Sequence, residues 1–208
     1  MTKEQTVTNR RLERMQHAVH HRLSGLTIVA EGTHLRHNLS AMIRSAESFG
    51  VAKVHLISAE KRKMSGAAKG AERWVELSVF ESTEQCFDEL KNQGFQIFVA
   101  DLQDDSYTPE TVPIDQPVAI VMGTELVGVS EKAKSLADGS VMIPMYGLTQ
   151  SLNVSVASAC LLQRLSTRMR ESGVGDLSKL DKEDLLQSWL ERETIEKEHR
   201  DNRRTLGQ

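Results

Sequence analysis

The sequence predicts an α/β domain with a mostly parallel sheet flanked by helices. Short apolar runs of strand length alternate with segments of helical periodicity. The runs are continuously apolar, as expected of strands buried on both faces. Polar, glycine-bearing stretches follow several of them, where ligands bind in such sheets.

Residues 9–23 are predicted as a helix from Leu12, Met15, Val19 and Leu23 at spacings of three and four, with Arg10, Arg11, Arg14 and Arg22 on the other face. LTIVAEG (26–32) reads as a strand. In HNLSAMIRSAESFG, Leu39, Met42, Ile43, Ala46 and Phe49 share a helical face, and Gly50 is a stop signal. VAKVHLI (51–57) is the next strand. EKRKMSGAAKGAERW reads as a loop, basic because five Lys/Arg face two Glu. Ser82 and Gln85 read as a capping box for a helix at 83–92. QIFVADL (96–102) and PVAIVMG (117–123) are strands, and Ser130 caps a short helix through Ala137. SVMIPM (140–145) is the next strand, with a long helix at 152–169 after it. Beyond Arg170, ESGVGDLSK reads as a linker. LDKEDLLQSWLERETIEKEHRDNRR reads as a charged helix with Leu185, Leu186, Trp189 and Leu190 as its apolar patch.

Composition narrows the function classes. Aromatics are 4%, so aliphatic residues must build the core, and a net charge of −3 means that any nucleic-acid-binding surface is local. Cys86 and Cys160 form no metal-spaced pair and no disulfide framework, which fits a reducing cytoplasm. No apolar h-region for a signal peptide opens the chain, and no apolar run reaches the ~18 residues of a membrane span. His17, His20 and His21 cluster without a carboxylate or Cys at metal spacing, so no metal is expected. The chain also lacks a P-loop, a dinucleotide-binding glycine fingerprint after its first strand and a nucleophile elbow.

Three strand-end stretches remain. Gly123 lets backbone approach a ligand, and Gly128 helps close the turn. Glu125 reads either as an acceptor for a ligand amine or a neighbouring loop, or as a helix-entry acid. Asn38 suits an N-cap, and Arg44, six residues on, lies on a different face. Ser151 reads as the N-cap of the last sheet-packing helix. Asn153 is then a first-turn asparagine, a poor helix former that capping alone does not explain.

In order, HNLSAMIRSAESFGV, IVMGTELVGVS and VMIPMYGLTQSLNVSVASA resemble the three motifs of the SpoU family of RNA ribose 2′-O-methyltransferases, and within it the TrmH branch of tRNA (guanosine-2′-O)-methyltransferases. The likeness covers roughly residues 26–165. GTELVG departs from the G-N-E-G-x-G of many relatives but keeps the glutamate. The resemblance implies a SPOUT fold with a deep C-terminal trefoil knot, S-adenosyl-L-methionine as methyl donor, tRNA as substrate and a homodimer whose active site combines both subunits. Cofactor contacts would fall on Ala100, Gly123, Ile143 and Leu152. Asn38, Arg44, Glu125, Ser151 and Asn153 match catalytic or site-organising positions. Local positive charge, read from the residues themselves, would let Arg10, Arg11, Arg14, Lys61, Arg62, Lys63, Arg164, Arg168 and Arg170 meet RNA. The implied organisation is a basic helical extension (1–24), a catalytic domain (25–170) and a C-terminal helical extension (171–208). The target would be the D-loop guanosine at tRNA position 18. Methylation of ribosomal RNA or of another tRNA position, and non-catalytic RNA binding, are the alternatives.

Overall fold

The computed structural model describes residues 7–32, 36–58, 70–103 and 105–206, with side chains through residue 197. In chain order the elements are α1 (Asn9–His20), β1 (Leu23–Glu31), α2 (Arg36–Ser48), β2 (Val51–Ile57), β3 (Glu76–Phe80), α3 (Thr83–Asn92), β4 (Gln96–Ala100), β5 (Val118–Met122), α4 (Glu131–Leu136), β6 (Gly139–Val141), α5 (Val154–Ser172) and α6 (Lys179–Leu206). The described residues divide into two compact units. One is Leu23–Asp176; the other joins the two termini, up to Arg22 and from Leu177.

In the larger unit six strands form one sheet in the order β3-β2-β1-β5-β4-β6, and every strand pairing is parallel. The continuous apolar runs are explained by two cores. Along β5, Val118, Ile120 and Met122 face one core, which includes Met42 and Ile43 of α2 and Leu161, Leu162 and Leu165 of α5. Ala119 and Val121 face the other, with Phe87 of α3 and Ala133 of α4. Each fully buried Val, Leu or Ile is worth about 1.5–3 kcal/mol over exposure, so two-sided strands anchor the sheet. Filling the place between β1 and β4 with β5, a later strand, brings the ends of β4, β5 and β6 together around one opening.

The structure differs from the sequence reading in several places. ELSVF, read as part of no element, is β3, an edge strand paired to β2 from Lys53↔Glu76 to Ile57↔Phe80. Its side chains are half-buried or exposed, so it lacks the apolar run that marks the inner strands. The first helix stops at His20, because Leu23 already belongs to β1. The strand expected at 140–145 shrinks to three residues, and 142–153 is irregular. The last sheet-packing helix begins at Val154, capped by Asn153 rather than Ser151. Ser82 and Ser130 do cap α3 and α4, accepting from the amides of Gln85 and Ala133.

In the terminal unit α1 buries Met15 and Val19, and α6 buries Trp189 and Leu190. The Arg22 guanidinium lies 5.0 Å from the Trp189 ring, and Arg11 bonds Glu193 at 2.8 Å. Among the described residues no helix is long and apolar enough to cross a membrane.

Candidate active site

A cavity of about 530 Å³ opens at the carboxyl ends of β4, β5 and β6. Ala100, Gly123, Ile143 and Leu152 all line it, and so do Glu125, Ser151 and Asn153. Its apolar wall comes from Met122, Val141 and Leu161, where strand ends meet α5. The size and the mixture of apolar wall with a few polar groups suit a small organic ligand.

The segment after β5 is a tight loop. Thr124 N donates to the Gly128 carbonyl (2.9 Å), Gly128 N donates back to the Thr124 carbonyl (3.0 Å), and Val127 N donates to Thr124 Oγ1 (3.1 Å). A Cβ at Gly123 would stand 2.1 Å from the Gly128 carbonyl carbon, and Gly128 itself has φ +73°. Gly123 is therefore required by its own loop, a reason the sequence reading did not find. The loop ends at Ser130. There the buried carboxylate of Glu31, at the end of β1, accepts from Ser130 N (2.9 Å), Ser130 Oγ (2.7 Å) and Thr83 Oγ1 (2.8 Å).

The three predicted motifs meet through side-chain amides. Asn38 is buried in the first turn of α2, not at its cap, and Asn38 Nδ2 donates to Glu125 Oε1 at 2.5 Å. Asn153 Nδ2 donates to Asn38 Oδ1 at 3.3 Å. Asn153 Oδ1 caps α5, accepting from Ser155 N (2.9 Å) and Ser155 Oγ (2.6 Å). Both ends of Asn153 are thus in use, which explains an asparagine there: one end starts the helix and the other ties it to α2. Ser151 is exposed on the cavity wall.

Arg44 is not on that wall. It is exposed on α2 and makes no hydrogen bond or ion pair to other described residues. Among the arginines expected to meet RNA, Arg10 and Arg14 are likewise exposed and unpaired among the described residues. Arg11 is held by Glu193. Arg164 grips Glu110 with Nε at 2.8 Å to both oxygens and Nη2 at 2.6 Å; this bonding raises the pKa of Arg164 and lowers that of Glu110. Arg168 donates to the Pro109 carbonyl (2.8 Å) and Arg170 to the Phe49 carbonyl (2.6 Å). These three arginines of α5 thus have partners within the protein. Lys61, Arg62 and Lys63 lie outside the described residues.

Two carboxylates at the site escaped the sequence reading, Glu31 and Asp101. Each directly follows an apolar strand run, a signal that could have found them. Asp101 lines the cavity, and its Oδ2 receives Lys134 Nζ and Gln103 Nε2, both at 3.0 Å. Burial raises its pKa, but the bonds from Gln103 and Lys134 outweigh that and hold it below the ordinary carboxylate value. Among the described residues no group of His, Cys, Asp or Glu is arranged to hold a metal ion.

Comparison with known proteins agrees with this architecture. The tRNA (guanosine(18)-2′-O)-methyltransferase of Thermus thermophilus is 35% identical over 188 residues, 88% of this chain and 97% of that protein. The enzyme of the same name from Aquifex aeolicus is 32% identical over 213 residues, 100% of this chain and 99% of its own. The crystal structure of the A. aeolicus TrmH/SpoU tRNA modifying enzyme superposes with a TM-score of 0.78 at 32% identity, over 88% of this chain and 96% of that one. The profile of the SpoU rRNA Methylase family matches residues 25–163, and the chain belongs to that family.

Proposed function

We propose that this protein is an S-adenosyl-L-methionine-dependent tRNA (guanosine-2′-O)-methyltransferase acting on the D-loop guanosine at position 18. The observation that carries the reading is the Asn153–Asn38–Glu125 chain, which joins α5, α2 and the loop after β5 at a cavity lined by all four expected cofactor contacts. The relatives that span nearly the whole chain carry this activity in their names. The cavity fits the cofactor chemically: apolar wall for adenine and thioether carbons, loop backbone and a few polar side chains for its polar ends. Bound there, S-adenosyl-L-methionine supplies a methyl group activated on a sulfonium sulfur.

The chain's own residues position the acceptor. A ribose 2′-hydroxyl that accepted this methyl group would have to give up its proton to a group placed beside it. A guanidinium is a poor proton acceptor but a strong donor to phosphate. Arg44 therefore orients the phosphate beside the target ribose, and a phosphate oxygen takes the proton. Asn38, Glu125, Ser151 and Asn153 keep the cavity wall and its loops in register, the positioning that such a transfer requires.

Residues 25–170 act as the catalytic domain, with helical extensions at 1–24 and 171–208, a trefoil knot formed by the loops after β5 and β6, and a cytoplasmic location. The active unit is a homodimer in which Arg44 serves the partner's cavity. Two observations support this: Arg44 is exposed away from its own cavity, and Leu126, Val127, Tyr146 and Leu148 stand 81% or more exposed in the two loops between strand ends and helices. RNA capture rests on Arg10 and Arg14, through phosphate contacts that weaken with salt.

The test is methyl transfer from labelled S-adenosylmethionine to an unmodified tRNA transcript, with the product nucleotide mapped. A 2′-O-methyl at guanosine 18, lost in Arg44→Ala while cofactor binding persists, is the expected result. A product on another nucleotide, or undiminished turnover in Arg44→Ala, overturns the substrate or the mechanism respectively.

A further inference from the structure

The geometry points to Asp101 as the group that receives the ribose hydroxyls of the cofactor's adenosine, an inference that rests on the cavity being the S-adenosylmethionine site. Asp101 directly follows β4 and lines the cavity. Its backbone is fixed on both sides: Asp101 N donates to the Val141 carbonyl (3.2 Å), and Ser106 Oγ donates to the Asp101 carbonyl (3.2 Å). Its side chain is used asymmetrically. Lys134 and Gln103 both bind Oδ2, the adjacent Leu102 amide also favours the ionised carboxylate, and no side chain among the described residues bonds Oδ1.

That asymmetry selects the ligand group. The ammonium of Lys134, shared between Asp101 at 3.0 Å and Glu131 at 3.1 Å, offsets part of the carboxylate charge and so weakens the pull of Oδ1 on a second cation such as the sulfonium. A hydroxyl gains a charge-assisted hydrogen bond, because it needs only the lone pairs that Oδ1 offers. Parallel sheets that bind nucleotides use an acidic side chain at a strand end for ribose hydroxyls in the same way. Lys134 would then be a positioning residue: it turns Oδ2 away and keeps the carboxylate ionised. The side chains of Asp101 and Lys134 are only 26% and 27% exposed, so water competes weakly at this pair.

Calorimetric binding decides the matter without any activity readout. Wild type is titrated with S-adenosylmethionine, S-adenosylhomocysteine, and the 2′-deoxy and 3′-deoxy forms of the latter. At least one deoxy form should bind wild type about tenfold or more weakly than its parent, the strength of a hydrogen bond to a charged group. In Asp101→Ala that penalty should vanish, and S-adenosylmethionine and S-adenosylhomocysteine should weaken equally. In the isosteric Asp101→Asn the penalty should shrink but persist. If neither deoxy form is penalised in wild type, the proposal fails, and that arm needs no variant to fold. It also fails if the penalty survives in Asp101→Ala, or if that variant weakens only S-adenosylmethionine, which would mark a sulfonium contact. Absence of any cofactor binding to wild type would instead overturn the assignment of the cavity.

Discussion

Glu31 and Glu125 follow neighbouring parallel strands, one at the end of β1 and the other just past β5, yet their surroundings are opposite. Glu31 is buried, and three donors from Thr83 and Ser130 occupy its carboxylate. Glu125 is exposed and receives one donor, from Asn38. A saturated buried acceptor fixes backbone, because leaving its donors unmet costs about 1–3 kcal/mol each. An exposed, under-used acceptor adds little to stability and remains available to organise a ligand site. Glu31 thus anchors the far end of the loop whose near end carries Glu125.

Substitutions should separate the two roles, and urea unfolding with cofactor titration can read them. Glu31→Ala should be the most damaging, losing about 3 kcal/mol of stability and weakening cofactor binding as the loop end at Ser130 is released. A stability loss below about 1 kcal/mol would mean that water replaces the carboxylate and the contrast with Glu125 is false. Gly123→Ala comes next, at about 2 kcal/mol, because its methyl collides with the backbone of Gly128. Cofactor affinity should fall with it, since the loop must move.

His55 gives the buried side of the contrast a pH signature. Burial first, then the neighbouring Lys53, push its pKa down to about 4 from 6.5. Thr27 Oγ1 lies 2.9 Å from Nδ1, and Nε2 is buried without a hydrogen-bond partner among the described residues. The unfolded chain therefore binds the proton first. Stability from the neutral imidazole is present above about pH 6.5 and is lost as pH falls toward about 4. Between about pH 7 and about pH 4.5 the wild type should lose about 2 kcal/mol more than His55→Asn; parallel acid profiles would refute this. Glu125→Gln is the smallest change in stability, within about 0.5 kcal/mol. Methyl transfer should nonetheless drop about 100-fold, as a misplaced reaction geometry does. An unaltered rate would remove Glu125 from the site.

Much of this was written locally. The apolar runs marked five of the six strands, and Ser82 and Ser130 announced their helices because a hydroxyl before a helix finds a free amide. The motif residues Glu125, Ser151 and Asn153 reached one cavity, as their strand-end positions required. The cap of α5 could not be chosen from sequence, since Ser151 and Asn153, two residues apart, are both good cap residues. The choice fell to Asn153 through its second bond, to Asn38, 115 residues away. Edge strand β3 was missed because its side chains are half-buried or exposed and ELSVF carries no continuous apolar run.

By itself, the sequence determined the α/β class, the parallel sheet, the family motifs and the side chains able to serve a polar cavity. Periodicity, capping and two-sided burial are properties of neighbouring residues. Only the tertiary structure decided which groups remain free. Arg164, Arg168 and Arg170 form a basic row along the chain, and only the fold shows that they reach Glu110 and the carbonyls of Pro109 and Phe49. Asp101 looks like an ordinary loop acid but lines the cavity, with both of its side-chain partners on one oxygen. Partners that satisfy or spare a polar atom come from distant elements, and no local pattern encodes them.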